Sequence, residues 1–431
     1  MAPSQLKHKR KQKKAKDSSW IYIIAPLLVL LGGVLMLGYI TFTSDNLRDK
    51  EDPAANQWAV EYWRTPIPDQ GNPPPEFHLL AQRVEAKNCK GCHVDKFAEW
   101  SSSLHSHAMG PGVYGQYFHF NESSKAECNI CHAPMSEQWE DTLDVNKNWE
   151  QNPEFNKVLF EEGVTCAACH LRQHQRNAPP LRPGKESLSQ ALHGEPVRTP
   201  FFQASEFCKG CHQHKPDTLK IGGNTIENTY IEWLESPAYE QGRTCQSCHM
   251  PDRKHLWKGI HDKEMTASGV TINHSVSSNT PKSGSSFSAT LTIKNTGTGH
   301  MFPTYTTPAV FLKAAFLNKQ GQAIPNFYEE KIIQRRLDMS TNPWTEFFDT
   351  RLAPNESLTL EFHKTVPPEA ASFQLWIWVE PDEFYEGFFR TTLKNSQTHE
   401  GRAQLEDALQ TTLDRQYPLF SKTLSVAADA N

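Results

Sequence analysis

No cysteine of this 431-residue chain stands apart: all ten fall inside one five-residue motif. None is left over for a disulfide framework, and none can serve as a lipobox. The variant in which lysine replaces the motif's histidine is missing. Charge is absent from Trp20 to Phe42, a stretch long enough to cross a bilayer as a helix. Trp20, Tyr22 and Tyr39 sit near its ends, where interfacial aromatics are favoured. No clear A-x-A site follows the apolar run, which favours an uncleaved signal anchor over a cleaved signal peptide.

Residues 1–19 hold seven basic side chains and one acid, Asp17. They are expected to stay cytoplasmic beside anionic headgroups, with everything after the span exported. The expectation is thus a single-pass protein of the bacterial inner membrane with a periplasmic body. The chain's net charge is −5, so the part beyond the basic tail carries −11. That balance speaks against nucleic acid as a partner of the exported part.

The motif itself is Cys-x-x-Cys-His. It occurs at Cys89, Cys92 and His93; Cys128, Cys131 and His132; Cys166, Cys169 and His170; Cys208, Cys211 and His212; and Cys245, Cys248 and His249. Zinc ribbons take CxxC pairs two at a time, so five pairs leave one over, and zinc has no need of a histidine after every pair. Thiols one helical turn apart can form thioethers to both vinyl groups of a porphyrin edge, and the adjacent imidazole then binds iron. The spacing is that of c-type haem attachment, and the cofactor expected is haem c, five per chain.

The motifs lie about 35–40 residues apart, with short helices and much loop between them. A domain over 76–262 is expected, mostly α and packed around haem rather than around an aliphatic core. It follows a proline-bearing linker over 43–75. Beyond residue 263 the pattern changes. Phe287, Ala289, Leu291 and Ile293 alternate with polar residues, as do Leu358, Leu360 and Phe362, and Phe373, Leu375, Ile377 and Val379. These runs predict an antiparallel β-sandwich over 263–420, with a helix near 402–413 and a flexible tail over 421–431.

The context of the motifs resembles the multihaem cytochrome c family typified by cytochrome c554. The first motif is followed by Phe97-Ala98-Glu99-Trp100 and by Ser103-Leu104-His105-Ser106-His107-Ala108-Met109. Thr229 to Ser236 precedes the fifth, which runs on as Cys248-His249-Met250-Pro251. His255-Leu256-Trp257-Lys258-Gly259-Ile260-His261 and Asn295 to Thr304 also fit. The likeness covers roughly residues 85–305. The family typically has four haems and no sandwich, so the fifth motif and the C-terminal domain depart from it. The resemblance implies that His105 and His255 are distal iron ligands.

His193, in a loop before the fourth motif, His261, across Gly259 from His255, and His300, at a strand end, complete the preferred distal set. His107, His119, His174 and His214 are in reserve, and Met109 and Met135 remain open. Iron with two histidines is closed and passes electrons; iron with one has an open position. Two functions follow. One is an electron relay between a quinol-linked membrane donor or a soluble cytochrome and an exported acceptor, with the β domain as docking module, lid or plain cover. The other is an oxidoreductase acting on a small nitrogen or sulfur compound at one five-coordinate haem. For the latter, Arg172, His174 and Arg176 could line a pocket, or form a solvated basic loop.

Overall fold

The structure, a computed structural model, describes residues 50–185, 190–214, 220–221, 224–338, 345–395 and 400–427. From Asp52 onward the chain forms a single compact unit. Helix α1, Pro53–Tyr62, begins inside the segment expected as a linker. Proline occupies its first turn, and the Asp52 carboxylate accepts from the amides of Ala54 and Ala55. It buries Ala55, Ala59 and Tyr62.

Four motifs lie on helices, α3 (Glu122–His132), α4 (Cys166–His170), α5 (Glu206–His212) and α6 (Cys245–His249), and the first begins at the end of α2 (Ala86–Cys89). One turn suffices to bring two cysteines to one side, so nothing in the motif demands a longer helix. The chain between the motifs pairs with itself instead. Strands β1 (Asp141–Leu143) and β2 (Trp149–Gln151) form one ribbon. Strands β3 (Leu171–Arg172), β4 (Gln175–Ala178) and β5 (Val197–Arg198) form a three-stranded sheet, and β6 (Lys220–Ile221) and β7 (Asn224–Thr225) another ribbon.

The C-terminal part packs two antiparallel sheets over one core. One has the order β14–β9–β8, built from β8 (Val270–Val276), β9 (Ser286–Asn295) and β14 (Ser357–Thr365). The other is β11–β10–β15–β16, from β10 (Ala309–Leu317), β11 (Ala323–Ile333), β15 (Ser372–Glu380) and β16 (Tyr417–Ser425). Strands β12 (Arg335–Asp338) and β13 (Thr345–Asp349) pair separately. Burial alternates along β9 and β15, so Leu291 and Ile293 face Leu375 and Ile377 in a shared core closed by Phe287, Phe316, Phe362 and Phe373. Helices α7 (Glu383–Asn395) and α8 (Arg402–Asp414) interrupt the strands. Helix α8 lies on the helix Pro111–Tyr117 of the haem region. A Cβ on Gly115 would stand 3.0 Å from Leu405, so the glycine permits that approach.

Two parts of the expected fold class are corrected. Among the described residues no helix is long and apolar enough to cross a membrane. The longest have 13 residues, about 20 Å at the α-helical rise, against a hydrocarbon core of about 30 Å. The run 20–42 expected to span the bilayer lies outside the described residues, and the single-pass inner-membrane location is withdrawn with it. The domain expected over 76–262 is also not helix and loop alone: three small sheets lie among its motifs, and over the whole chain, sandwich included, helix takes 34% and strand 27%. Backbone groups in the segments between the motifs must find partners, and short strand pairs satisfy part of them.

Candidate functional site

The motif helices are braced to one another by side chains that sequence reading left unassigned. The Glu162 carboxylate accepts from the Ala86 amide at 2.8 Å, at the start of α2, and from Thr165 Oγ1 at 2.8 Å, just ahead of α4. Ser205 Oγ, before α5, accepts from the Cys245 amide at 3.1 Å at the start of α6. Four indole N–H groups donate to carbonyls beside motifs: Trp63 to Phe207, Trp100 to Val164, Trp139 to Ala133 and Trp233 to Arg243, at 2.8–2.9 Å. Aromatic residues with a polar edge are well suited to such buried anchoring.

These braces bring the cysteines of different motifs together. The Cys89 thiol meets Cys166, Cys131 meets Cys211, and Cys208 meets Cys245. All ten cysteines are free thiols. The first and third motifs therefore adjoin, as do the second and fourth, and the fourth and fifth.

Four of the five proximal histidines face a second imidazole. Ring centroids are 6.4 Å apart for His93 and His193, 6.1 Å for His170 and His255, 6.2 Å for His212 and His105, and 6.3 Å for His249 and His300. Metal–imidazole bonds of about 2.0–2.1 Å on either side, with each ring centre ~1 Å beyond its nitrogen, would separate two centroids by ~6 Å. The pairs thus fit an iron held between two histidines. Among the described residues no group of three or more histidine, cysteine or acidic side chains could hold a bare ion. Each pair would offer two imidazoles to an iron, and a porphyrin would have to supply the rest of its ligands.

The second nitrogen of most of these rings is already engaged. Nδ1 of His132, His170 and His249 lies 2.7–2.8 Å from the carbonyls of Ala108, Asn177 and Lys258. Nδ1 of His193, His255 and His300 meets the carbonyls of Gly194, Arg253 and Met301 at 2.8–3.1 Å. His212 differs: its Nδ1 is 2.5 Å from the Tyr305 hydroxyl. Engaging Nδ1 leaves Nε2 as the nitrogen for metal. Burial pulls His105 down to about 3 and His212 and His255 to about 4, so these rings are neutral, as ligands must be.

His132 stands apart. Among the described residues no imidazole lies opposite it. His261, the fifth expected distal ligand, points its Nε2 at Asp382 Oδ1, 2.9 Å away. Met109 and Met135 are 5% and 0% exposed and belong to separate apolar clusters. Tyr385, on α7, reaches the region of the second motif. Burial pushes its hydroxyl up to about 12, helped by the nearby acidic groups Glu227, Cys128 and Asp382. Of the reserves, His174 is buried with Nε2 3.1 Å from the Gly71 carbonyl, and His214 lies 3.6 Å from Glu227. Arg172 stacks 3.7 Å from the Tyr62 ring centre and bonds the Tyr62 carbonyl, while Arg176 donates to the carbonyls of His174 and Ala81. Both arginines brace loops.

No protein-family model and no curated protein matches the chain. Among solved structures, a penta-haem cytochrome c552 from Thermochromatium tepidum superposes with a TM-score of 0.55 at 18% identity, over 80% of this chain and 100% of that one. A CARDB domain from Pyrococcus furiosus aligns over 26% of this chain and 67% of its own, with a TM-score of 0.16 and 13% identity. The first likeness gives this chain a multihaem-cytochrome fold.

Proposed function

We propose that the chain is a pentahaem c-type cytochrome that transfers electrons. Haem c would be held by the thioether cysteines of each motif and by His93 with His193, His170 with His255, His212 with His105, and His249 with His300. His132 would hold the remaining haem from one side. The observation that carries this reading is the recurrence of one imidazole–imidazole spacing four times, each time on a motif histidine. When bound, the haem irons supply one-electron redox chemistry. The protein's own groups keep the ligands neutral, fix their tautomers through Nδ1 and exclude water. Electrons would be exchanged with a second redox protein, which the net negative charge of the chain favours as a basic one. Intact mass of the mature protein tests the cofactor count: five haem additions are expected, and a surviving pair of motif thiols would overturn it.

One observation favours a second reading. With no second imidazole at His132, an iron there would keep an open position. A small nitrogen or sulfur compound could bind it, near Tyr385 and Glu227. Turnover separates the readings: in either case the iron on His132 gives one high-spin signal and binds carbon monoxide, and only the second reading adds turnover of nitrite, hydroxylamine or a sulfur oxyanion.

A further inference from the structure

The loop that follows the fifth motif serves more than its own haem. Lys258 returns its carbonyl to His249 Nδ1 at 2.7 Å. Three residues earlier, His255 faces His170 of the third motif. Between them lies Trp257. Its ring sits edge-on to His105 at 4.6 Å and 70°, and edge-on to His255 at 5.2 Å and 84°. His105 faces His212, of the fourth motif. One indole therefore touches the distal imidazoles of two different histidine pairs.

The backbone is bent to put it there. Trp257 has a φ of +41°, in the left-handed region that bulky residues avoid, and Asp252 and Arg253, earlier in the same loop, have +54° and +61°. Such conformations persist only where surrounding contacts over-determine them, and they gather at functional sites. The restraints are visible. Lys96 Nζ donates to the Arg253 carbonyl at 3.0 Å, Arg182 donates to the Asp252 carbonyl, and the His255 amide donates to Glu99 Oε2 at 2.9 Å.

We propose that Trp257 is a shared positioning residue: its indole sets the ring orientation of His105 and His255 together, and so couples the ligand geometry of the third-motif and fourth-motif haems. Edge-to-face contact with an aromatic ring has a preferred geometry, which two imidazoles against one indole cannot change independently. The inference rests on the histidine pairing proposed above.

EPR of the oxidised holoprotein tests it, because low-spin g-values report the relative orientation of two axial imidazole planes. H105A and H255A first identify their own signals by removing them. In W257L those same two signals should shift while the other two low-spin signals hold. W257F, which restores an aromatic ring, should bring them back toward wild type. Should W257L fail to assemble five haems, W257F carries the test alone, with a smaller shift of the same two signals. Unmoved signals, a shift of one alone, or a shift of all four would overturn the role of Trp257. If H105A or H255A removes no low-spin signal, the pairing itself fails, whatever Trp257 does.

Discussion

Arg351 and Glu232 form an ion pair, Nη1 to Oε1 2.9 Å, with each side chain only 7% exposed. Arg351 belongs to the β-rich part and Glu232 to the helix Thr229–Leu234 ahead of the fifth motif. The other carboxylate oxygen accepts from the Met301 amide at 3.2 Å and from Thr304 Oγ1 at 2.6 Å. Arg351 also donates to the Thr304 carbonyl at 2.7 Å. The pair thus clamps the segment that presents His300 to His249 and Tyr305 to His212.

Removing Arg351 leaves the buried Glu232 carboxylate without its cation, which costs about 3–5 kcal/mol; removing Glu232 costs less, because Arg351 keeps Asp349 Oδ2 at 2.8 Å. R351M and E232A should each lower the Tm of the holoprotein and raise a high-spin haem signal as His300 loosens. The double change to apolar residues should recover part of the stability, since a buried pair can be replaced at little net cost. Melting curves and EPR on the same samples check both outcomes.

The distal histidines are separable by substitution. H193A and H300A should each convert one low-spin haem to high spin and add one carbon-monoxide-binding iron. H261A should change neither count, because His261 serves Asp382. Carbon monoxide difference spectra of the reduced variants decide this; a lost low-spin haem in H261A would return that residue to the ligand list.

Tyr305 offers His212 a hydroxyl where His132, His170 and His249 meet peptide carbonyls. With Nε2 on iron, Nδ1–H donates to the phenol oxygen and makes the imidazole more electron-rich. Y305F removes that acceptor. One haem should then become easier to reduce while the other four keep their midpoint potentials, as read by spectroelectrochemical titration.

Burial holds the Glu227 carboxyl up at about 7, from an ordinary 4.5. The folded protein therefore keeps a proton on Glu227 across a range in which the unfolded chain has lost it. Stability falls wherever the folded state binds more protons than the unfolded one as pH rises. Between about pH 4.5 and 7 this group should progressively lower the stability, with no further change above. E227Q should flatten that part of the pH–stability profile; denaturant melts of both proteins at several pH values provide the comparison.

Much of the β-rich part could be read from alternation. Phe287, Ala289, Leu291 and Ile293 bury one face of a strand, and Phe373, Leu375, Ile377 and Val379 the facing one, because side chains on a strand point alternately to its two sides. The small ribbons among the motifs left no such mark. Two- to four-residue strands are too short to show a period, and their pairing answers backbone needs rather than side-chain burial. The indole anchors were equally hidden: Trp63 and Phe207 are far apart in the chain, and nothing near Trp63 announces the carbonyl it meets.

The proximal sites are a property of the sequence itself. Two thiols and an imidazole within five residues need only one helical turn to come together, whatever surrounds them. Which imidazole stands opposite is a property of the tertiary structure alone. His105 follows the first motif yet meets the fourth. His255 follows the fifth yet meets the third. His261, six residues further on, is claimed by Asp382 from the end of the sandwich. Those choices depend on how Glu162, Ser205, Trp63, Trp100 and the Glu232–Arg351 pair bring distant segments together, and contacts of that kind have no local signature for a sequence to carry.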